Sequence, residues 1–276
     1  MKKDTLLLPE RHTLILRQLS THGRVLATQL AQDLNVTEDT IRRDLRDLAA
    51  TGMCQKVYGG AVRLPAAPES GTLTQRATRA QADKSLLGAA AATLVKAGMV
   101  LFLDAGSSNL AIAAALPAVP LTVLTNAPSI AARLLESPHI DLIMIGGRID
   151  QRLGGSVGTT ALREIEMVRP DLYFVGACGV DVRAGVTAVD FEEAEFKRRL
   201  VANSKATVVV ATADKLGAVA PFAVLPIAQL THLVVEQQTG ADIAEAYAAA
   251  GTSVLHAGGG GSGNGNGSDK RSREAI

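Results

Sequence analysis

The sequence predicts an α/β protein in two parts, a small helical module closed by a β-hairpin and then a mostly parallel sheet covered by helices. Three observations predict it. Three short amphipathic stretches lie between Glu10 and Leu48, separated by tight breaks. Two short extended runs flank Gly59-Gly60. Beyond Pro65–Gly71, rich in Pro, Ala and Gly, short apolar runs alternate with helical ones as far as Val235. Short buried strands alternating with helices are the pattern of a parallel sheet covered on both faces. At 276 residues the chain is long enough for two domains.

The first helix is expected over Glu10–Thr21, with Ile15, Leu16 and Leu19 on one face. Gly23 interrupts it. Ala27–Leu34 follows as a second helix, with Leu30 and Leu34 at i, i+4. A tight break at Asn35-Val36 lets the next helix cross it at a large angle. Thr37 stands at the N-cap position of that third helix, and Ile41, Leu45 and Leu48 form its buried stripe. Gly52 suits its C-terminal cap. Met53–Val57 and Ala61–Leu64, joined through Tyr58-Gly59-Gly60, read as a hairpin. A helix-turn-helix followed by a hairpin is a winged helix.

Arg42, Arg43 and Arg46 are left on the faces of the third helix not committed to the core. A short helix with a polar N-terminus and a basic flank is the element that reads bases in the major groove. The competing reading is intrahelical pairing: Asp39–Arg43 and Arg43–Asp47 at i, i+4, and Asp39–Arg42 at i, i+3. The winged-helix layout favours DNA for Arg42 and Arg43, while Arg46, further along, is placed for phosphate. Thr37 and Thr40 lie at the helix end that favours anions. The expected DNA-facing set is Thr37, Glu38, Asp39, Thr40, Arg42, Arg43 and Arg46 from the helix, with Lys56 and Tyr58 from the wing.

In the second part, helices are expected over Lys84–Lys96, Asn109–Leu116, Ile130–Glu136 and Glu192–Ala202. Strands are expected at Met99–Leu103, Leu121–Leu124, Ile140–Ile145, Leu172–Val175, Val208–Ala211 and Leu230–Val235. Ligands of such sheets bind outside the carboxyl ends of the strands. The residues that follow the strands are Asp104 to Asn109, Thr125-Asn126, Gly146-Gly147-Arg148, Gly176 to Gly179, and Thr212 to Lys215. Asp104-Ala105-Gly106-Ser107-Ser108-Asn109, small residues and two hydroxyls leading into a helix, suits a phosphate. Each cluster is also what a turn looks like, and Asp104 can simply cap the next helix. Lys197 reads best as an i, i+4 partner of Glu193, and Asp190 as either a binding acid or a turn residue.

Composition excludes several classes. Net charge is +1, so no whole-molecule basic field exists, although ten basic against seven acidic residues up to Pro65 make that part mildly basic. Aromatics make up 3% and Trp is absent, which argues against stacking on single strands. Cys54 and Cys178 have no CxxC or zinc spacing, so no metal is expected and both read as reduced thiols. With no signal peptide and no membrane span, the expectation is a cytoplasmic protein, on the nucleoid when bound to its operator. The Gly-, Ser- and Asn-rich tail reads as flexible. The expected division is 1–65, a linker 66–80, 81–256, and a tail 257–276.

The residues resemble a known family. Gly23 with Val25, Gln29-Leu30-Ala31, Thr40-Ile41-Arg42-Arg43-Asp44-Leu45, Gly52 and Gly59-Gly60-Ala61 look like the N-terminal domain of DeoR-type bacterial transcriptional regulators. Leu103–Ser108, Thr125-Asn126, Ile145-Gly146-Gly147, Gly176 to Gly179, and Glu193-Ala194 with Lys197 resemble the sugar-phosphate-sensing domain of the same family. The resemblance implies a fold related to phosphosugar isomerases and coenzyme A transferases. It implies effector binding by Asp104, Gly106, Ser107, Ser108, Asn126, Gly146, Gly147 and Lys215. It also implies double-stranded operator DNA and a phosphorylated sugar as partners, a homo-oligomer of at least two copies, no cofactor and no catalysis. Lys56 and Tyr58 stand where the family commonly has Arg and His. After the late strand the family shows Asp-x-Ser-Lys, whereas here Thr212 takes the acid's place and Asp214 precedes Lys215. The expected function is a repressor of carbohydrate metabolism genes. The competing readings are a phosphosugar isomerase using Asp104, Asp190, Glu193 and Lys215, and an architectural DNA-binding protein.

Overall fold

The computed structural model describes residues 8–22, 24–50, 54–62 and 73–258. The expected roles of Gly23 and Gly52, the linker up to residue 72 and the tail from residue 259 lie outside the described residues.

The first module runs α1 (Leu8–His22), β1 (Arg24–Leu26), α2 (Ala27–Asp33), α3 (Glu38–Ala50), β2 (Gln55–Val57) and β3 (Gly60–Val62). Helix α2 ends where Asn35 turns left-handed at φ 53°. The Val36 N–H reaches Ala31 O and the Asn35 N–H reaches Gln32 O, the paired bonds of a Schellman cap. The hairpin of β2 and β3 is joined by β1, which sequence reasoning did not foresee, in the antiparallel order β1-β3-β2. Gly60 is required by that pairing, because a Cβ there would lie 2.0 Å from the Val25 carbonyl oxygen. Ile15, Leu19, Val25, Leu30, Ile41, Leu45, Leu48 and Ala61 make the core.

The second module continues through α4 (Leu73–Thr78), α5 (Gln81–Ala92), β4 (Val100–Leu103), α6 (Ser107–Ala115), β5 (Leu121–Thr125), α7 (Pro128–Leu134) and β6 (Ile140–Met144). A hairpin follows, β7 (Arg148–Asp150) with β8 (Gly155–Val157), then α8 (Thr159–Ile165), β9 (Leu172–Val175), β10 (Gly179–Asp181), β11 (Gly185–Ala188) and α9 (Phe191–Asn203). The remainder is β12 (Ala206–Ala211), β13 (Phe222–Leu225), β14 (His232–Val235), α10 (Ala241–Ala249) and β15 (Ser253–His256). Seven strands form one sheet in the order β15-β14-β12-β9-β4-β5-β6, and every pairing in it is parallel.

The period of two along each strand separates two cores. Leu101, Leu103, Val123, Phe174, Val208 and Val210 pack with Leu87, Ile112 and Ile130 of α5, α6 and α7. Phe102, Tyr173, Val175, Val209, Ala211 and Leu233 pack with Ile165, Phe196 and Tyr247 of α8, α9 and α10. The small antiparallel sheet β10-β11-β13 adds to this second side. The predicted α/β class with an N-terminal winged helix is therefore the observed one.

Several boundaries differ from expectation by one or more residues, two of them for evident local reasons. Helix α5 stops before Thr93 because Thr93, Leu94 and Val95 donate to carbonyls three residues back, tightening the turn. The expected strand at Leu230 begins only at His232, since a 3-10 turn at Ile227–Gln229 takes the Leu230 N–H.

Candidate functional site

On the first module, the Thr37 Oγ accepts the Thr40 N–H at 3.2 Å and so caps α3. The two threonine hydroxyls lie 2.8 Å apart. Ile41, Leu45 and Leu48 turn inward, as does Asp44, whose carboxylate takes the Arg11 guanidinium. Asp39, Arg42, Arg43 and Arg46 are exposed, and Glu38 and Thr40 half-buried. The intrahelical pairs weighed from the sequence do not form; instead Arg42 pairs with Glu38 at 2.7 Å. Among the described residues Arg43 and Arg46 have no ion-pair partner. Lys56 is exposed on β2, and Tyr58 at the wing tip is fully exposed.

In the second module the chain leaves β4 toward β5 on one side, while β9, on the other side of β4, leads to β12. This divergence is a topological switch point, the place where open parallel sheets bind ligands. A narrow cleft lies there. Gly106, Ser107 and Ser108 line it from the N-terminus of α6, and Gly176 to Cys178 from the end of β9. Lys215 lines it beyond β12, Glu193 and Lys197 from α9, and Arg76 from α4. Gly106 adopts φ +153°, which favours glycine and turns the chain into α6. The hydroxyls of Ser107 and Ser108 and the Glu193 Oε2 are buried without hydrogen-bond partners. Buried polar groups are normally paired, so three such atoms around one cleft mark a place for a polar ligand.

Behind the cleft wall lies a buried network. Asp104, 2% exposed, accepts hydrogen bonds from the Ala105 N–H at 2.8 Å, the Tyr173 hydroxyl at 3.1 Å and the Gly176 N–H at 3.1 Å. Lys197 Nζ stands 3.5 Å from Asp104 and donates to Glu193 Oε1 and the Gly176 carbonyl. Burial works against the charge on Lys197, but Glu193 and then Asp104 outweigh it and raise its pKa above the ordinary lysine value. Burial, then Asp104, pushes the Tyr173 hydroxyl well above its usual range, so it remains a donor. Burial pushes the Cys178 thiol up as well. The expected Glu193–Lys197 pair is present, and it is part of the cleft wall rather than remote from it.

The structure divides the eight expected effector residues. Gly106, Ser107, Ser108 and Lys215 line the cleft. Asp104 and Asn126 stand behind it as supports. Asn126 accepts the Ala105 N–H at 3.0 Å and donates to the Ser156 carbonyl at 3.0 Å, which orients the turn after β4. Gly146 and Gly147 do not reach the cleft, because β6 is the edge strand, two strands removed from the switch point. Gly146 instead donates its N–H to Glu164 at 2.7 Å, and Gly147 makes a turn at φ +124°. Asp190 caps α9 by accepting the Glu193 N–H at 3.0 Å and pairs with Arg152, while Gly106 rather than Asp104 occupies the N-cap of α6. Thr212, at the place of the family's acid, has a buried hydroxyl without a partner, and its carbonyl takes the Lys215 N–H at 2.9 Å.

Arg76 was missed, because residues 66–80 read as linker. Residues 73–78 of that stretch form α4, and Arg76 donates to the Leu153 carbonyl at 3.1 Å. Lys84 clasps the helix end, donating to the carbonyls of Arg76 at 2.6 Å and Arg79 at 2.9 Å. The available signal was Leu73 and Ala77 at i, i+4. Among the described residues no group of His, Cys, Asp or Glu is arranged to hold a metal, and no helix is long and apolar enough to cross a membrane.

Comparison with known proteins agrees with both halves. Residues 11–66 match the family model of the DeoR-like helix-turn-helix domain, and residues 79–237 match that of the DeoR C terminal sensor domain. The HTH-type transcriptional regulator GolR of Listeria innocua is 29% identical over 89% of this chain and 97% of its own length. The uncharacterized HTH-type transcriptional regulator FruR of Bacillus subtilis is 30% identical over 84% of this chain and 93% of its own. The glycerol-3-phosphate regulon repressor of Escherichia coli is 29% identical over 75% and 82%. A ribose 5-phosphate isomerase of Methanocaldococcus jannaschii overlaps 49% of this chain and 54% of its own, at a TM-score of 0.36 and 18% identity. That likeness is too distant to bear on function.

Proposed function

The chain belongs to the DeoR family of transcriptional regulators, and on that premise we propose that it represses genes of carbohydrate metabolism and releases its operator in response to a phosphorylated sugar or related metabolite. In this reading α3 enters the major groove. Arg42 and Arg43 contact bases, and Thr37, Thr40, Arg46 and the wing residues Lys56 and Tyr58 contact the phosphate backbone. Two operator half-sites call for at least two copies of the chain.

The observation that carries the sensor half is the pair of buried, unpartnered serine hydroxyls at the start of α6, in a cleft that Lys215 also lines. A helix N-terminus, two hydroxyls and a lysine together suit a phosphate dianion. The names of the similar regulators, among them a glycerol-3-phosphate regulon repressor, support the same ligand class. An effector acts by binding two arrangements of the protein with different affinity.

Fluorescence anisotropy on DNA from upstream of the gene, at physiological salt with competitor DNA, tests the reading. Specific binding relieved by one member of a panel of phosphorylated sugars is the expected result. Turnover of such a compound in an isomerase assay, with no specific DNA binding, would reverse it.

A further inference from the structure

We propose that Glu193 is the specificity-determining residue of the cleft, so that the effector must carry a hydroxyl close to its phosphate. The inference rests on the phosphate reading of Ser107, Ser108 and Lys215 and names what else the ligand must bring. Glu193 is 8% exposed and lines the cleft. Its Oε1 is taken by Lys197, while its Oε2 is buried and has no partner.

An ionised carboxylate only accepts hydrogen bonds. A phosphate dianion brings only acceptors and negative charge, so it cannot satisfy Oε2 and is repelled by it. Lys197 cannot serve both oxygens and the ligand, because Gly176 and Asp104 already share its ammonium group. The cleft therefore combines a phosphate-holding side, α6 with Lys215, and an acceptor side at Glu193. A hydroxylated phosphate monoester fills both. A site built to accept from a hydroxyl rejects the analogue lacking it, because the buried acceptor is then left unpaired.

The test compares glycerol 3-phosphate with propyl phosphate by isothermal titration calorimetry on the full chain, with inorganic phosphate as a third probe. A charge-assisted hydrogen bond corresponds to a preference of about 10- to 100-fold for glycerol 3-phosphate. In Glu193→Ala the preference falls to about onefold, through weaker binding of glycerol 3-phosphate and equal or tighter binding of propyl phosphate. Ser107→Ala weakens both ligands and leaves their ratio in place. A preference that survives in Glu193→Ala, or wild-type protein that binds both esters equally, overturns the inference and leaves the phosphate reading standing. Wild-type protein that binds none of the three probes overturns both. Should Glu193→Ala not fold, the two isomeric propanediol phosphates decide the matter on wild-type protein. One of them binds at least tenfold more tightly than propyl phosphate if Glu193 reads a hydroxyl, and neither does if it reads none.

Discussion

Arg11 of α1 and Asp44 of α3 form a bidentate ion pair inside the winged helix, with Nε 2.7 Å from one carboxylate oxygen and Nη2 2.9 Å from the other. Asp44 lies between the exposed Arg43 and Arg46 on α3 yet is 2% exposed itself. The pair locks α3 to α1 and leaves the arginines on either side of Asp44 facing outward. Breaking a buried pair by removing one partner costs about 3–5 kcal/mol. Asp44→Ala is expected near the lower end, because Arg11 keeps a solvent edge. Urea unfolding followed by circular dichroism measures it. A loss under about 1 kcal/mol would mean that the pair is not what holds α1 to α3.

Arg42 and Arg43 are neighbours with different starting points. Arg42 must leave Glu38 before it can reach a base, whereas Arg43 has no ion-pair partner among the described residues. Arg43→Ala is expected to weaken operator binding by about 1–3 kcal/mol and to relax specificity at one base. Arg42→Ala is expected to cost less, because the freed Glu38 offsets part of the gain. Anisotropy titrations of both variants against the same operator rank them, and the reverse order would count against this account of α3.

Lys215, with Arg76 and Lys197, is one of the cationic residues lining the cleft into which the N-terminus of α6 opens. Lys215→Ala should lower affinity for a phosphorylated effector by about 1.5–3 kcal/mol, the range for a hydrogen bond to a charged group. The readout is the concentration of sugar phosphate needed to raise the melting temperature. An unchanged concentration dependence would remove Lys215 from the site.

His232 begins β14, and its Nδ1 is buried without a partner. Burial lowers its pKa below the ordinary histidine value of 6.5. Between the two values the unfolded chain binds more protons than the folded one. Its contribution to stability is therefore complete above pH 6.5 and is lost as the pH falls toward the folded value. Thermal melts between pH 7.5 and about pH 5 should show wild type losing more stability than His232→Gln. Parallel curves for the two proteins would show that this imidazole is not linked to folding.

Much of the fold was legible because it rests on short-range pattern. The spacing of Ile41, Leu45 and Leu48 places α3, Thr37 caps it, and Gly59-Gly60 turns the wing. Strand ends such as Asp104–Asn109 announce the side of the sheet on which the cleft lies. Strands β1, β7, β8 and β10 have three residues each, too few to show a period, and β13 and β15 are partly exposed, so contacts distant in sequence decide them.

By itself the sequence determined the two-part architecture, helix α3 with its exposed arginines and the small, polar turn that opens α6. Each depends on residues within one or two turns of chain, where period, capping and glycine geometry act. Only the tertiary structure decided which strand ends meet. The order β12-β9-β4-β5 brings Ser107, Ser108, Lys215 and Glu193 to one cleft and leaves Gly146 and Gly147 at the sheet edge. It also folds Arg76, from a stretch with the look of a linker, into the cleft wall, and sends Asp104 behind that wall to hold Tyr173 and Lys197. Strand order is set by packing between residues far apart in the chain, and no local pattern encodes it.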